Sequence, residues 1–126
     1  MYGAAIAACS SIETRPGDTA AFEAAGTPGF ARQADVADPA QAEALVSTVR
    51  AELGPVSILV NGAGPYHRVK LLEETWEGWT GMFDATLHAV FRLSQLVIPD
   101  MREAGWGRIV NFGMANADKP MAQPMV

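Results

Sequence analysis

Residues Ile58 to Tyr66 read ILVNGAGPY: a short apolar run falls into Asn61, Gly62, Ala63 and Gly64, and no side chain charged near neutrality follows until His67. An apolar run bounded by turn residues is the pattern of a strand buried in a parallel sheet. In such sheets ligands lie beyond the carboxyl ends of the strands, and a main chain that lets a nucleotide come close carries little bulk there. A tight turn explains the same four residues equally well, so their neighbours decide.

Upstream, Phe30 to Val36 alternates as a strand, and Asp38-Pro39-Ala40-Gln41 then reads as an N-cap, a proline in the first turn and a capping glutamine. The helix it opens repeats Ala42, Leu45, Val46, Val49 and Leu53 at three and four, and Gly54-Pro55 closes it. Val56 to Val60 is the next strand. Ala4 to Cys9 is apolar throughout, as for a strand covered on both faces, although its alanines also suit a helix. A short helix fits between Asp18, a candidate cap, and Gly26, a stop.

Downstream, a long helix is expected from about Trp79 to Ala104. Leu87, Phe91, Leu93, Val97, Ile98 and Met101 cover too wide an arc of it for one sheet contact, so a second copy of the chain is expected on its outer side. Arg108 to Phe112 makes the last strand. This alternation of strands and helices predicts one α/β domain over residues 1–126, an open parallel sheet with flanking helices.

The net charge of -5 comes from scattered acids, which leaves no electrostatic footprint for nucleic acid or an anionic membrane. No run approaches the roughly 18 apolar residues of a membrane span. One cysteine, Cys9, excludes an internal disulfide, and no Cys/His cluster suggests a metal site. A reducing, cytoplasmic setting is expected.

ADVADPAQAEALV (34–46), GPVSILVNGAG (54–64), FRLSQLVIPDMR (91–102) and GWGRIVNFG (105–113), in this order and spacing, resemble the short-chain dehydrogenase/reductase family. The resemblance spans nearly the whole chain. It implies an incomplete Rossmann-like sheet, from the second to the fifth strand of the family order, in an NAD(P)-dependent oxidoreductase acting on a small carbonyl or alcohol substrate. It also implies that Asn61, Gly62, Ala63 and Gly64 line the adenosine part of the cofactor site and that Asp35 and Val36 touch the adenine. Asp35 can accept from an exocyclic amine, and Gly62 and Gly64 leave room for a ribose. Asp35 also reads as a turn acid at a helix entry. At the end of the family's second strand, Cys9-Ser10-Ser11 offers no acid for a ribose diol. That favours NADP over NAD, with Ser10 in the cofactor set and Arg15 as a phosphate partner.

The family pattern is broken in three places. No TGxxxGxG turn occurs, so the diphosphate has no expected seat and binding should be impaired. The relay positions for Asn and Ser hold Thr86 and Met114, and the family's Tyr and Lys would fall beyond Val126. Asn116 and Asp118 read as solvated loop residues, His67 after NGAG as a candidate to face a substrate and His88 as a helix residue facing the sheet or a partner; no catalytic residue is assigned. The expectation is a piece of a longer oxidoreductase, inactive by itself, with a non-catalytic nucleotide-binding or dimerising module as the alternative. The family's first strand lies between its second and fourth, so this piece should show a central gap or a new strand pairing.

Overall fold

The computed structural model describes residues 6–10, 19–64 and 69–113. Four strands, β1 (Ile6–Ser10), β2 (Gly29–Gln33), β3 (Ile58–Asn61) and β4 (Arg108–Asn111), alternate with helices α1 (Ala20–Ala24), α2 (Pro39–Leu53), α3 (Trp76–Phe83) and α4 (Ala89–Glu103). Between the last two helices, Asp84–His88 forms a π-helical turn.

The caps of α2 explain its limits. Asp38 Oδ1 accepts from the backbone N of Ala40 at 2.8 Å and of Gln41 at 3.4 Å, filling donors that a helix start leaves unpaired. Pro39 occupies the first turn, where no N–H is needed. At the other end Gly54 takes φ 91° and its N–H donates to the Arg50 carbonyl, a conformation that side chains resist.

Local hydrogen bonds shorten two expected strands. β2 stops at Gln33, because Asp35 Oδ1 accepts from Ala37 N at 2.9 Å and Asp38 N donates to the Asp35 carbonyl, which bends the chain into a turn. β3 begins at Ile58, because Val56 N donates to the Asp100 side chain at 3.0 Å instead of joining a ladder. The long helix starts three residues before the expected Trp79, where Thr75 Oγ1 accepts from Gly78 N at 3.0 Å.

Among the described residues the sheet is not continuous. β1 pairs with β2 and β3 with β4, both in parallel, as two separate two-stranded sheets. This is the central gap, not a new pairing. One core nevertheless serves both pairs: Ala34 and Val36, just past β2, are buried with Ala42, Leu45 and Val46 of α2 and with Ala89, Leu93, Val97 and Met101 of α4. Leu59 of β3 and Ile109 of β4 pack against it. α2 and α4 lie side by side, tied by Arg50 Nε to the Asp100 carboxylate at 2.9 Å and by Arg50 Nη2 to the Leu96 carbonyl.

The other side of β3 and β4 is bare. Ile58 is 54% and Val60 56% exposed, and Val110 and Phe112 are also open. The outer side of the long helix is open too, with Leu87 54% and Phe91 64% exposed. The wide apolar arc predicted for that helix is therefore half used within the described residues.

Candidate functional site

The parallel strands of each pair end at a common rim. Ser10 closes β1 opposite Gln33, which closes β2; Asn61 closes β3 opposite Asn111, which closes β4. Asp35 follows β2 by two residues, and Gly62 to Gly64 follow β3 directly.

One helical segment reaches both rims. Arg92 Nη1 donates to the Ala37 carbonyl at 3.1 Å. Six residues earlier, Thr86 lies so close to Gly64 that a Cβ on the glycine would stand 3.2 Å from Thr86 Cγ2. Six residues of helix advance about 9 Å, so the turn of Asp35 and the end of β3 converge on less than two helical turns.

The expected cofactor residues divide by what their side chains do. Asn61 is buried, and its Nδ2 donates to Asn111 Oδ1 at 2.8 Å, so this amide cross-links β3 to β4. Val36 is buried in the core, which leaves only its main chain for the rim. Asp35 is exposed, but its Oδ1 is engaged by Ala37 N and its own N–H donates to Gln41 Oε1 at 3.0 Å. Gly62, Ala63 and Gly64 are exposed. A Cβ on Gly62 would meet only the Phe112 ring, at 3.8 Å, which is ordinary contact, whereas Gly64 is where the helix comes close. Side-chain surroundings of Ser10 lie outside the described residues, as do Arg15, His67, Met114, Asn116 and Asp118.

Electrostatically the rim holds one anion already. The Gln41 side chain, which donates to Asp38 Oδ2 at 3.0 Å, and the two backbone donors of the cap keep the Asp38 carboxyl below its usual value of 3.8. The start of α2 therefore offers no seat for a phosphate, because a carboxylate fills its free donors. Thr86 Oγ1 donates to the Met82 carbonyl of α3 at 2.6 Å, which commits its proton to the preceding helical turn. His88 Nδ1 stands 2.8 Å from Asp84 Oδ1 on the same turn, with both side chains about half exposed.

The sequence model of the short chain dehydrogenase family matches residues 1–126. The chain belongs to that family. It is 36% identical over 100 residues to nodulation protein G of Azospirillum brasilense, a match covering 79% of this chain and 41% of that protein. It is 38% identical over 88 residues to the 3-oxoacyl-(acyl-carrier-protein) reductase of Escherichia coli K12, covering 70% of this chain and 36% of the reductase. A gluconate 5-dehydrogenase of Burkholderia cenocepacia, solved with NADP and tartrate, superposes with a TM-score of 0.70 at 30% identity, over 86% of this chain and 43% of that one. The chain thus spans well under half the length of these relatives.

Within a short-chain dehydrogenase frame, two features escaped sequence reasoning. The Asn61–Asn111 amide pair was available as a signal, since ILVN and RIVN end alike and paired parallel strands bring equal positions together. The second is Phe112, 75% exposed beside Gly62 at the rim. Nothing in the sequence sets this ring apart from a core residue.

Proposed function

We propose that residues 1–126 carry the adenosine-side rim of the NAD(P) site of a short-chain dehydrogenase/reductase-type oxidoreductase, with Asp35, the Val36 main chain and Asn61 to Gly64 as its frame and Ser10 at the ribose. The observation that carries this reading is the hold of one helical segment, Thr86 to Arg92, on both Gly64 and Ala37. Bound NAD(P) supplies hydride chemistry; these residues position only its adenosine end. Exposed Asp35 with one engaged oxygen is oriented to accept from an amine, and the exposed backbone of Gly62 to Gly64 fits a sugar. The diphosphate is not provided for: the sequence has no glycine-rich turn, and the start of α2 is filled by Asp38.

It follows that this chain binds adenine nucleotides weakly, NADP ahead of NAD, and does not reduce carbonyl compounds unaided. Small carbonyl or alcohol substrates are those expected of family members that carry the whole site, in a cytoplasmic setting. No described helix is long and apolar enough to cross a membrane. Calorimetric titration with 2′,5′-ADP, NADP and NAD tests this. Saturable binding that Asp35→Ala weakens about tenfold, the value of one hydrogen bond, supports it. Undiminished binding by Asp35→Ala refutes the pocket, and NADPH-dependent turnover of a ketone panel refutes the inactivity.

A second reading concerns assembly. Leu87, Phe91 and Ile98 recur along one side of the long helix and are all exposed, which fits a homo-oligomer formed through residues 79–104. Sedimentation tests it: Phe91→Asp should leave a monomer where the parent chain associates, and unchanged association would reject this surface.

A further inference from the structure

The turn that leads into α3 exposes large apolar side chains that the described core does not use. Leu71–Glu73 forms one turn of 3-10 helix, in which Leu71 is 56% and Leu72 98% exposed. Trp76, the first residue of α3, is 75% exposed. Trp79 shows the contrast, because it is partly buried and its ring meets that of Phe83 at 4.8 Å. Single exposed leucines are ordinary, but three large apolar side chains open within six residues make a patch.

The backbone under the patch is ordered. Glu73 N donates to the Lys70 carbonyl at 2.8 Å, Thr75 Oγ1 accepts from Gly78 N at 3.0 Å, and Trp79 N donates to the Thr75 carbonyl at 2.9 Å. Order established beforehand leaves less entropy to lose on binding.

The surroundings are acidic. Glu73, Glu74 and Glu77 stand among the apolar residues, Asp84 follows, and no lysine or arginine occurs from Leu71 to Phe91. Lys70 borders the patch, but its Nζ lies 3.3 Å from Glu73 Oε1. A helix start favours acids, which face its unpaired N–H groups. It does not call for a bare leucine and tryptophan among them.

We propose that Leu71, Leu72 and Trp76, with Glu73 and Glu77, form a docking surface for a basic amphipathic segment of another protein. Charge decides among the occupants. Carboxylates repel an anionic membrane and nucleic acid. A second copy is a poor match: the chain carries a net charge of -5, and apart from Arg68 and Lys70 no two of its nine lysines and arginines lie within five positions of each other, so it has no basic segment to offer. A basic amphipathic helix sets its apolar side on Leu72 and Trp76 and its cations over the carboxylates. This inference depends neither on nucleotide binding nor on association through Phe91.

Fluorescence anisotropy of a labelled leucine/lysine amphipathic peptide, titrated with the 126-residue chain, tests the surface. Its control has the same residues in an order that leaves no apolar side. The expected result is saturable binding of the amphipathic peptide, weakened about tenfold by Trp76→Ser and by Leu72→Ser, weakened also by Glu77→Gln and by salt, and unchanged by Phe91→Asp. Both apolar positions are exposed, so an unchanged urea midpoint shows that each variant is folded. No saturable binding overturns the proposal, as does equal binding of the control peptide, which would mean attraction by charge alone. Binding indifferent to both serine variants, or abolished by Phe91→Asp, places the peptide elsewhere and also overturns it. If sedimentation shows self-association of the parent chain that Trp76→Ser removes, a second copy covers the patch and the proposal fails.

Discussion

The β1–β2 pair and the β3–β4 pair have the same architecture but are held differently. β3 and β4 rest along their length on the helix layer through Leu59 and Ile109, and their ends are stitched by Asn61 and Asn111. Among the described side chains, β2 reaches that layer through Ala34, Val36 and the Arg92 bond to Ala37 beyond its end, and through Arg32, whose Nη1 donates to Thr48 Oγ1 of α2 at 2.6 Å. Among the described side chains, the apolar support of one pair comes from within its strands and that of the other from the turn at its rim. The rim is also where the Asp35 turn, through Ala37, and Gly64 meet the helix, so the contacts that position the candidate site also hold the molecule together.

The largest effect should come from the shared layer. Leu93→Ala removes a buried side chain between both pairs and should cost about 2–5 kcal/mol in urea unfolding. Leu87→Ala, six residues away on the open side, should change stability by no more than about 0.5 kcal/mol. Comparable losses would mean that the outer side is covered.

Next in size is Asp100. Its carboxylate holds Arg50 of α2 and the Val56 N–H before β3, so Asp100→Ala should cost about 2–3 kcal/mol by stranding both partners. The Arg50 hydrogen bond, aided by Val56, holds this carboxyl below its usual value of 3.8. A lowered folded value means stability that is present above the unfolded value and lost as pH falls through the folded one. Acid titration below about pH 4 should therefore erode the parent chain more than Asp100→Asn. Identical acid profiles would remove Asp100 from this role.

Arg92→Ala should be milder globally, about 0.5–1.5 kcal/mol for one hydrogen bond, yet it is the sharpest test of the rim-held pair. Amides of residues 34–37 should exchange faster while those of Leu59 and Asn61 stay slow. Equal acceleration in both pairs would show that they are supported alike.

The smallest contrast lies within NGAG. Gly64→Ala pushes a methyl to 3.2 Å from Thr86 Cγ2, which is held by its hydroxyl bond to Met82, and should cost about 1 kcal/mol. Gly62→Ala meets only ordinary contact and should gain up to about 0.4–1 kcal/mol through the unfolded chain. A reversed order would mean that the helix does not approach at Gly64.

What the sequence disclosed follows from the range of the interactions. The α2 cap was legible because Asp38, Pro39 and Gln41 act on one another within three residues. The early ends of β2 and β3 were not. β2 ends because an aspartate bonds within its own turn, which competes with a strand pattern of the same residues, and β3 starts late because of Asp100, 44 residues away. The convergence at Gly64 was legible as a family pattern, but its physical role differed: the missing side chain accommodates Thr86 as well as any ligand. The π-helical turn at Asp84–His88 left no mark in the hydrophobic period.

The central claim is that the turn of Asp35 and the end of β3 share one rim. The most direct measurement is paramagnetic broadening from a spin label on Ala63→Cys, with Cys9→Ser. Amides of residues 34–37 should broaden more strongly than those of Gly29 and Phe30 at the far end of β2. Stronger broadening at Gly29 and Phe30 would place the two segments on opposite rims and contradict the account.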